Sequence, residues 1–316
     1  MSGEDHGKKT TPRNTINSER TTSMPIRFIN RLRFDFGETE GFKPAIHEAG
    51  FDPAERFQML GVDDLRYFSM TGGNPAGMSV DVTPAAICRF EDPPDLSSTI
   101  FTGILGQIGI RAVAEGDAAL VLTDSMGKTV DKIDIKVVKP RNVKVRFYNL
   151  RDSLGRQAVD NPDINPLFNV LALDQLIFAV NTIVNDQCAV KLAKLGQGLL
   201  RDLTFQKDLT NRVNIFTTNQ FESTDLDTDA DYHVAFTWGI DSAHTNGITR
   251  TNFSLLQVSL SEIKRKLTAA HELVHFLSMP IGDTTTDHDD QKADLMFKTS
   301  PHGIMMRKAR LIRIIH

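Results

Sequence analysis

The residues best suited to chemistry in this sequence lie in one pentapeptide, residues 271–275 (HELVH). Two histidines four positions apart project from one face of a helix, so His271 and His275 can reach a single metal ion without any bend in the backbone. Glu272 lies beside them, where its carboxylate can take a proton from a water on the metal. The pattern predicts a hydrolytic site with one zinc ion.

The apolar context of this pentapeptide favours a real site over two incidental histidines. By residue usage alone, roughly one chain in a hundred of this length contains such a pattern. Two unliganded histidines and a carboxylate would be costly to bury on a largely apolar helix. The apolar residues around them are Leu267, Ala270, Leu273, Val274, Phe276 and Leu277.

A catalytic zinc usually takes three protein ligands and keeps one open position. No Glu follows Glu272 in the sequence, which excludes a third ligand of the thermolysin kind. Cys88 and Cys188 lie far apart and cannot form a thiolate site. The downstream candidates are Asp283, Asp287, His288, Asp289, Asp290, Asp294, His302 and His316.

The stretch after the pentapeptide resembles the matrixin-like metzincins, in which a third His precedes a short acidic loop and Leu-Met-Tyr. Here His288 is followed by DDQKAD and then by Leu295, Met296 and Phe297. Met296 follows His288 by eight residues, the separation familiar from matrixins. The resemblance, which covers residues 142–316, implies that His288 is the third ligand and Met296 the Met-turn residue beneath the metal.

The sequence departs from the metzincin pattern HExxHxxGxxH between the second and third ligands. Ser278 stands at the Gly position and Ile281 at the expected His position, and His288 follows His275 by 13 residues instead of 6. A seven-residue insertion in a loop accounts for that difference. The alternative third ligands are Asp283, since some short metzincins use Asp, and His302.

The resemblance also implies an activity, the hydrolysis of peptide bonds in a protein or peptide substrate, with Glu272 as general base. In metzincins an antiparallel edge strand precedes the zinc helix and binds the substrate as an added strand. Element order places this strand within residues 247–260, and its rim is formed by Gly247, Ile248, Thr249 and Arg250.

Apolar periodicity predicts the elements that would position this site. We expect strands at 143–148, 188–195, 213–217, 232–238 and 253–258, and helices at 165–186, 305–315 and from about Ser259 to about Ser278. Ser259 and Glu262 have the spacing of a capping box before the helix of the site. The prediction is an α+β metzincin-like peptidase domain over residues 140–316, with a mixed twisted sheet and an active-site helix.

The first half has a different pattern. Short alternating runs between turn signals predict an all-β sandwich over residues 56–139. Residues 108–138 resemble the end of bacterial immunoglobulin-like repeats, and Pro140 marks the domain boundary. We expect a disordered tail over 1–24 and a lead-in segment over 25–55 that supplies either an edge strand or a lead-in arm. The sandwich would dock substrate or tether the enzyme.

Composition adds limits. The chain has 316 residues, a net charge of −4 and no apolar run long enough for a membrane span, so we expect neither a nucleic-acid partner nor a membrane-spanning segment. Its polar start lacks a signal peptide, which predicts a cytoplasmic protein or one exported by a leaderless route. The EF-hand glycine and closing glutamate are missing around the alternating Asp225, Asp227, Asp229 and Asp231, so calcium has little support.

Two alternative functions are a delivered protease toxin and a catalytically silent zinc-binding interaction protein on this scaffold.

Overall fold

The computed structural model describes residues 27–29, 56–71, 77–92, 99–100, 107–151, 170–196, 201–204, 226–237, 246–257 and 262–278, with the single residues Leu295, Met306 and Ile314. The predicted strand at 213–217 lies outside them. Most described residues belong to strands, and two helices complete a mixed α/β protein. Neither helix has both the length and the apolar character that crossing a membrane requires.

The described part of the first half consists of nine strands in two sheets. One sheet has the order β1-β3-β7-β5 and the other β2-β9-β8-β4-β6. The strands are β1 Arg27–Ile29, β2 Phe57–Gly61, β3 Leu65–Thr71, β4 Ser79–Thr83, β5 Cys88–Asp92, β6 Thr99–Ile100, β7 Gln107–Ala112, β8 Gly116–Thr123 and β9 Thr129–Val138. The described elements of this half are all strands, as the sequence predicts, and β1 lies at the end of the order of its sheet.

Alternation of apolar and polar residues explains why these segments form strands. In β8 and β9 every second side chain is buried, which places Leu120, Leu122, Ile133 and Ile135 in one apolar core drawn from both sheets. The turn between β8 and β9 is closed by Asp124, whose carboxylate accepts hydrogen bonds from the backbone N–H of Met126 and Lys128.

The residues that the structure describes in the second half form a mixed sheet with two helices. Its strand order is β11-β10-β13-β15-β14, with β12 also paired to β10, and only β14 is antiparallel to its neighbour. The elements are β10 Arg141–Arg151, α1 Val170–Cys188, β11 Val190–Lys194, β12 Arg201–Thr204, β13 Tyr232–Thr237, β14 Gly247–Arg250, β15 Phe253–Gln257 and α2 Glu262–Ser278. Both helices share one apolar cluster with the sheet.

The junction between the halves is tightly packed. Phe57 and Met59 of β2 bury their side chains in the cluster of α1 and the mixed sheet, whereas Leu60 of the same strand belongs to the core of the first half. An ideal Cβ at Gly61 would lie 2.9 Å from Cγ of Pro140, so only glycine fits there without displacing a neighbour. Strand β2 therefore contributes to both cores.

Candidate metal centre

The helix α2 places the two predicted ligands side by side. His271 and His275 are 7% and 6% exposed, and their Nε2 atoms lie 3.0 Å apart. The apolar face of the helix explains this placement, because Leu267, Ala270 and Val274 anchor it in the core beneath the sheet. The two imidazoles thus meet at one point, as their spacing in the sequence predicts.

A backbone carbonyl fixes the ring of His271. Its Nδ1 lies 2.6 Å from the carbonyl oxygen of Leu295, which can only accept, so Nδ1 holds the proton and Nε2 presents its lone pair towards His275. The two Nε2 atoms, 3.0 Å apart, are then joined in one of two ways: His275 donates a hydrogen bond to His271, or both nitrogens bind the same cation through their lone pairs. Leu295 itself is fully buried and immediately precedes Met296.

The spacing of these nitrogens fits zinc. Two bonds of 2.0–2.1 Å at a tetrahedral angle put the ligand nitrogens about 3.3 Å apart. The observed 3.0 Å needs only a few tenths of an ångström of adjustment. His288 and its alternatives Asp283 and His302, together with Met296, lie outside the described residues. Among the side chains that the structure describes, no group of three or more His, Cys, Asp or Glu forms a metal site.

Glu272 is buried beside the histidines, with 3% of its surface exposed. Burial raises the pKa of its carboxyl to about 8, and the hydrogen bond from Thr249 opposes that rise. A carboxyl that titrates near neutral pH can both take and return a proton. A cation bound nearby would favour the charged form and lower this pKa.

The edge strand β14 lies against the same turn of the helix. The hydroxyl of Thr249 donates to Oε2 of Glu272 across 2.5 Å. At Gly247 an ideal Cβ would lie 2.7 Å from Oε1 of Glu272, so the missing side chain allows the strand to approach the carboxylate closely. The structure therefore brings Gly247 and Thr249, two predicted rim residues, to the proposed base, while Ile248 and Arg250 alternate with them along β14.

Sequence analysis missed the residues that support Thr249. Its hydroxyl oxygen lies 2.5 Å from Oγ of Ser254, which lies 2.5 Å from the hydroxyl oxygen of Tyr232. Tyr232 is also stacked on Phe276 of α2, with ring centroids 4.7 Å apart. Tyr232, Ser254 and Thr249 come from three different strands, so no local sequence pattern identifies them as neighbours.

Described residues of the acidic loop have partners within the protein, whereas Asp225 lies outside the described residues. The carboxylate of Asp227 accepts hydrogen bonds from the guanidinium of Arg146, and the backbone N–H of Asp227 donates to the Tyr148 hydroxyl. Asp231 accepts from the backbone N–H of Lys144. Nδ1 of His233 lies 3.0 Å from the Tyr148 hydroxyl oxygen. These contacts give calcium no support.

Comparison with known proteins adds little. The sequence matches no protein-family model and no curated protein. One similar solved structure is the crystal structure of the S-layer protein rSbsC, at 17% identity and a TM-score of 0.21. The alignment covers 27% of this chain and 12% of that chain, so this chain spans only a small part of that protein. At this TM-score the similarity supports no argument about fold or function.

Proposed function

We propose that this chain is a zinc-dependent endopeptidase of the metzincin type, with an immunoglobulin-like sandwich before the peptidase domain. The observation on which the proposal rests is the meeting of the Nε2 atoms of His271 and His275, 3.0 Å apart, with the ring of His271 oriented by the Leu295 carbonyl. Metal-binding histidines usually donate their other ring N–H to such an acceptor.

The residues around this point have the properties that peptide hydrolysis needs. His271 and His275, with His288 as the third ligand, would hold the zinc, which would polarise the substrate carbonyl and acidify a water. Glu272 would take the proton from that water on its carboxylate and return it to the leaving amine. Its burial and raised pKa suit both transfers.

The antiparallel strand β14 supports a peptide as the substrate. It is the last strand in the order of the described sheet, next to the proposed base. An extended peptide can add to such an edge through backbone hydrogen bonds, which accept many sequences. Element order is the basis for comparing β14 with the substrate-binding strand of metzincins.

Metal analysis combined with a peptide-library cleavage assay tests this proposal. Protein purified without added metal should contain about one zinc per chain and cleave peptides in a chelator-sensitive manner. Glu272→Gln should keep the zinc and lose roughly 100-fold or more in kcat, because it removes the base and no ligand. His271→Ala should lose the zinc. A wild-type chain that binds no zinc on titration would refute the proposal.

A further inference from the structure

A chain of three hydroxyls ends on the proposed base. Tyr232, Ser254 and Thr249 are linked in that order, and Thr249 contacts Oε2 of Glu272, with 2.5 Å at each step. All four residues are buried, and Ser254 is fully inaccessible to solvent. The chain crosses from β13 through β15 to β14 and then to α2, so it connects three strands to the helix of the site.

The direction of hydrogen bonding in this chain follows from counting protons. A carboxylate only accepts, so the single hydroxyl proton of Thr249 is donated to Glu272. Thr249 must then accept from Ser254, and Ser254 must accept from Tyr232. The hydroxyl oxygen of Thr249 also lies 3.2 Å from the backbone carbonyl oxygen of Glu272, so both acceptors of its proton belong to Glu272, and the carboxylate oxygen Oε2 is the nearer one. Oε2 is therefore held by Thr249, whereas Oε1 lies beside Gly247, which has no side chain to cover it.

The backbone N–H and C=O of Thr249 lie in the plane of the sheet, roughly perpendicular to its side chain. In the β14–β15 pair, the N–H of Gln257 donates to the carbonyl of Asn246. Hydrogen-bonded positions alternate along an antiparallel ladder, so Ile248 and Arg250 also bond to β15. The N–H and C=O of Gly247 and Thr249 consequently point away from β15, where an added strand would bond to them.

We propose that Thr249 is a positioning residue that holds Glu272 through its hydroxyl and binds the substrate backbone through its N–H and C=O. The expected effect of Thr249 on catalysis rests on the proposed peptidase function. One residue would thus join the strand that receives the peptide to the carboxylate that activates the water. A peptide paired with Thr249 would lock the strand that orients the base, so substrate binding and base placement would be coupled.

Steady-state kinetics of Thr249→Val and Thr249→Ser test the positioning role. Valine keeps the shape and removes the donor, so we expect kcat to fall about 10–100-fold while KM and zinc content stay close to wild type. Serine restores the donor and should return kcat to within about threefold of wild type. An unchanged kcat in Thr249→Val, a change confined to KM, or a Ser variant as impaired as the Val variant would overturn the proposal.

Two further variants test the rest of the chain and guard against a misfolded Val variant. Ser254→Ala removes the donor that orients Thr249, so its kcat should fall several-fold, and Tyr232→Phe should have a smaller effect in the same direction. Full activity in Ser254→Ala would show that the orientation of Thr249 does not matter, and would overturn the proposal even if Thr249→Val could not be purified.

Crystal structures of the zinc-loaded wild type and of Thr249→Val separate this inference from the proposed function. We expect the Glu272 carboxylate to keep its bond to Thr249 in the wild type and to rotate away in the variant. If the wild type cleaves no peptide, the proposed function fails, yet such a rotation still supports Thr249 as the residue that positions Glu272. An unmoved carboxylate in Thr249→Val would overturn the positioning role whatever the activity.

Discussion

Gly247 lies so close to Glu272 that an ideal Cβ on the glycine would be 2.7 Å from Oε1 of the carboxylate and 2.6 Å from Cγ2 of Thr268. Real Cβ atoms do not approach other atoms this closely, so any side chain at Gly247 must displace the helix, the strand or the carboxylate. The packing of β14 on α2 thus depends on a residue with no side chain.

Gly247→Ala should therefore impair both stability and catalysis. We expect a loss of about 1–3 kcal/mol in the free energy of unfolding from overpacking. We also expect kcat to fall by up to about 100-fold, because the carboxylate is misplaced. Gly61→Ala is a matched control, since its Cβ would lie 2.9 Å from Pro140 at the junction of the two halves. It should cost similar stability and leave kcat of the folded protein unchanged; equal kcat losses in both variants would refute the argument.

The third zinc ligand can be tested by substitution, since its candidates lie outside the described residues. His288→Ala should weaken zinc binding by orders of magnitude, whereas Asp283→Ala and His302→Ala should not. Insertion before His288 costs little, because the entropy of loop closure grows slowly with length. Isothermal titration with zinc decides the matter. If Asp283→Ala alone loses the metal, the matrixin-like alignment is wrong while the pair on α2 keeps its role.

The packing of strand β2 against the second half should raise the stability of that half. A fragment of residues 140–316 lacks Phe57 and Met59, which cover part of the cluster around α1. We expect it to keep the zinc site but to melt at a lower temperature than the whole chain. In the whole chain, Met59→Ala should cost about 2–5 kcal/mol, because its side chain is fully buried. A fragment as stable as the intact protein would show that the contact of β2 with α1 contributes nothing.

His233 predicts a dependence of stability on pH. Burial lowers its pKa below the ordinary value, an effect that Asp227 partly opposes. The unfolded chain then takes up this proton first as the pH falls. The neutral ring therefore makes its full contribution to the free energy of unfolding above about pH 6.5. Below that pH the free energy of unfolding falls by at most about 1.4 kcal/mol per pH unit on account of this group.

Urea unfolding of the wild type and of His233→Gln at several pH values checks this dependence. The metal-free forms should be compared, so that titration of His271 and His275 affects both proteins alike and cancels. The free energy of unfolding of the wild type minus that of His233→Gln should stay constant above about pH 6.5 and decrease at lower pH. A difference that does not change between pH 5 and pH 8 would contradict the assignment.

The parts of this protein that follow local periodicity could be predicted from the sequence. The helix α2 ends at Ser278 as expected, and the predicted strands at 232–238 and 253–258 differ by one residue from those observed. The helix α1 ends at Cys188, two residues beyond the predicted end at 186, and its last residue is still buried in the apolar cluster; residues 165–169 of the predicted helix lie outside the described residues. Element boundaries depend on tertiary contacts that periodicity does not contain.

The support of the candidate site could not be predicted in this way. Tyr232, Ser254 and Thr249 meet only because three strands lie side by side, and the carbonyl of Leu295 belongs to the backbone, which has no sequence signature. The alternation of β2 predicts two opposite faces, but nothing in it shows that Met59 enters the core of the second half. Such long-range contacts require the fold itself.

The sharing of β2 between two cores also restricts how the chain could be recombined. A different first half placed before Pro140 would have to bring apolar side chains at the positions of Phe57 and Met59, and a residue without a side chain at Gly61. Exchange of the first half alone would leave a hole beside α1. The two halves should consequently be inherited as a unit, and homologues that shuffle one half freely would need another way to cover that helix.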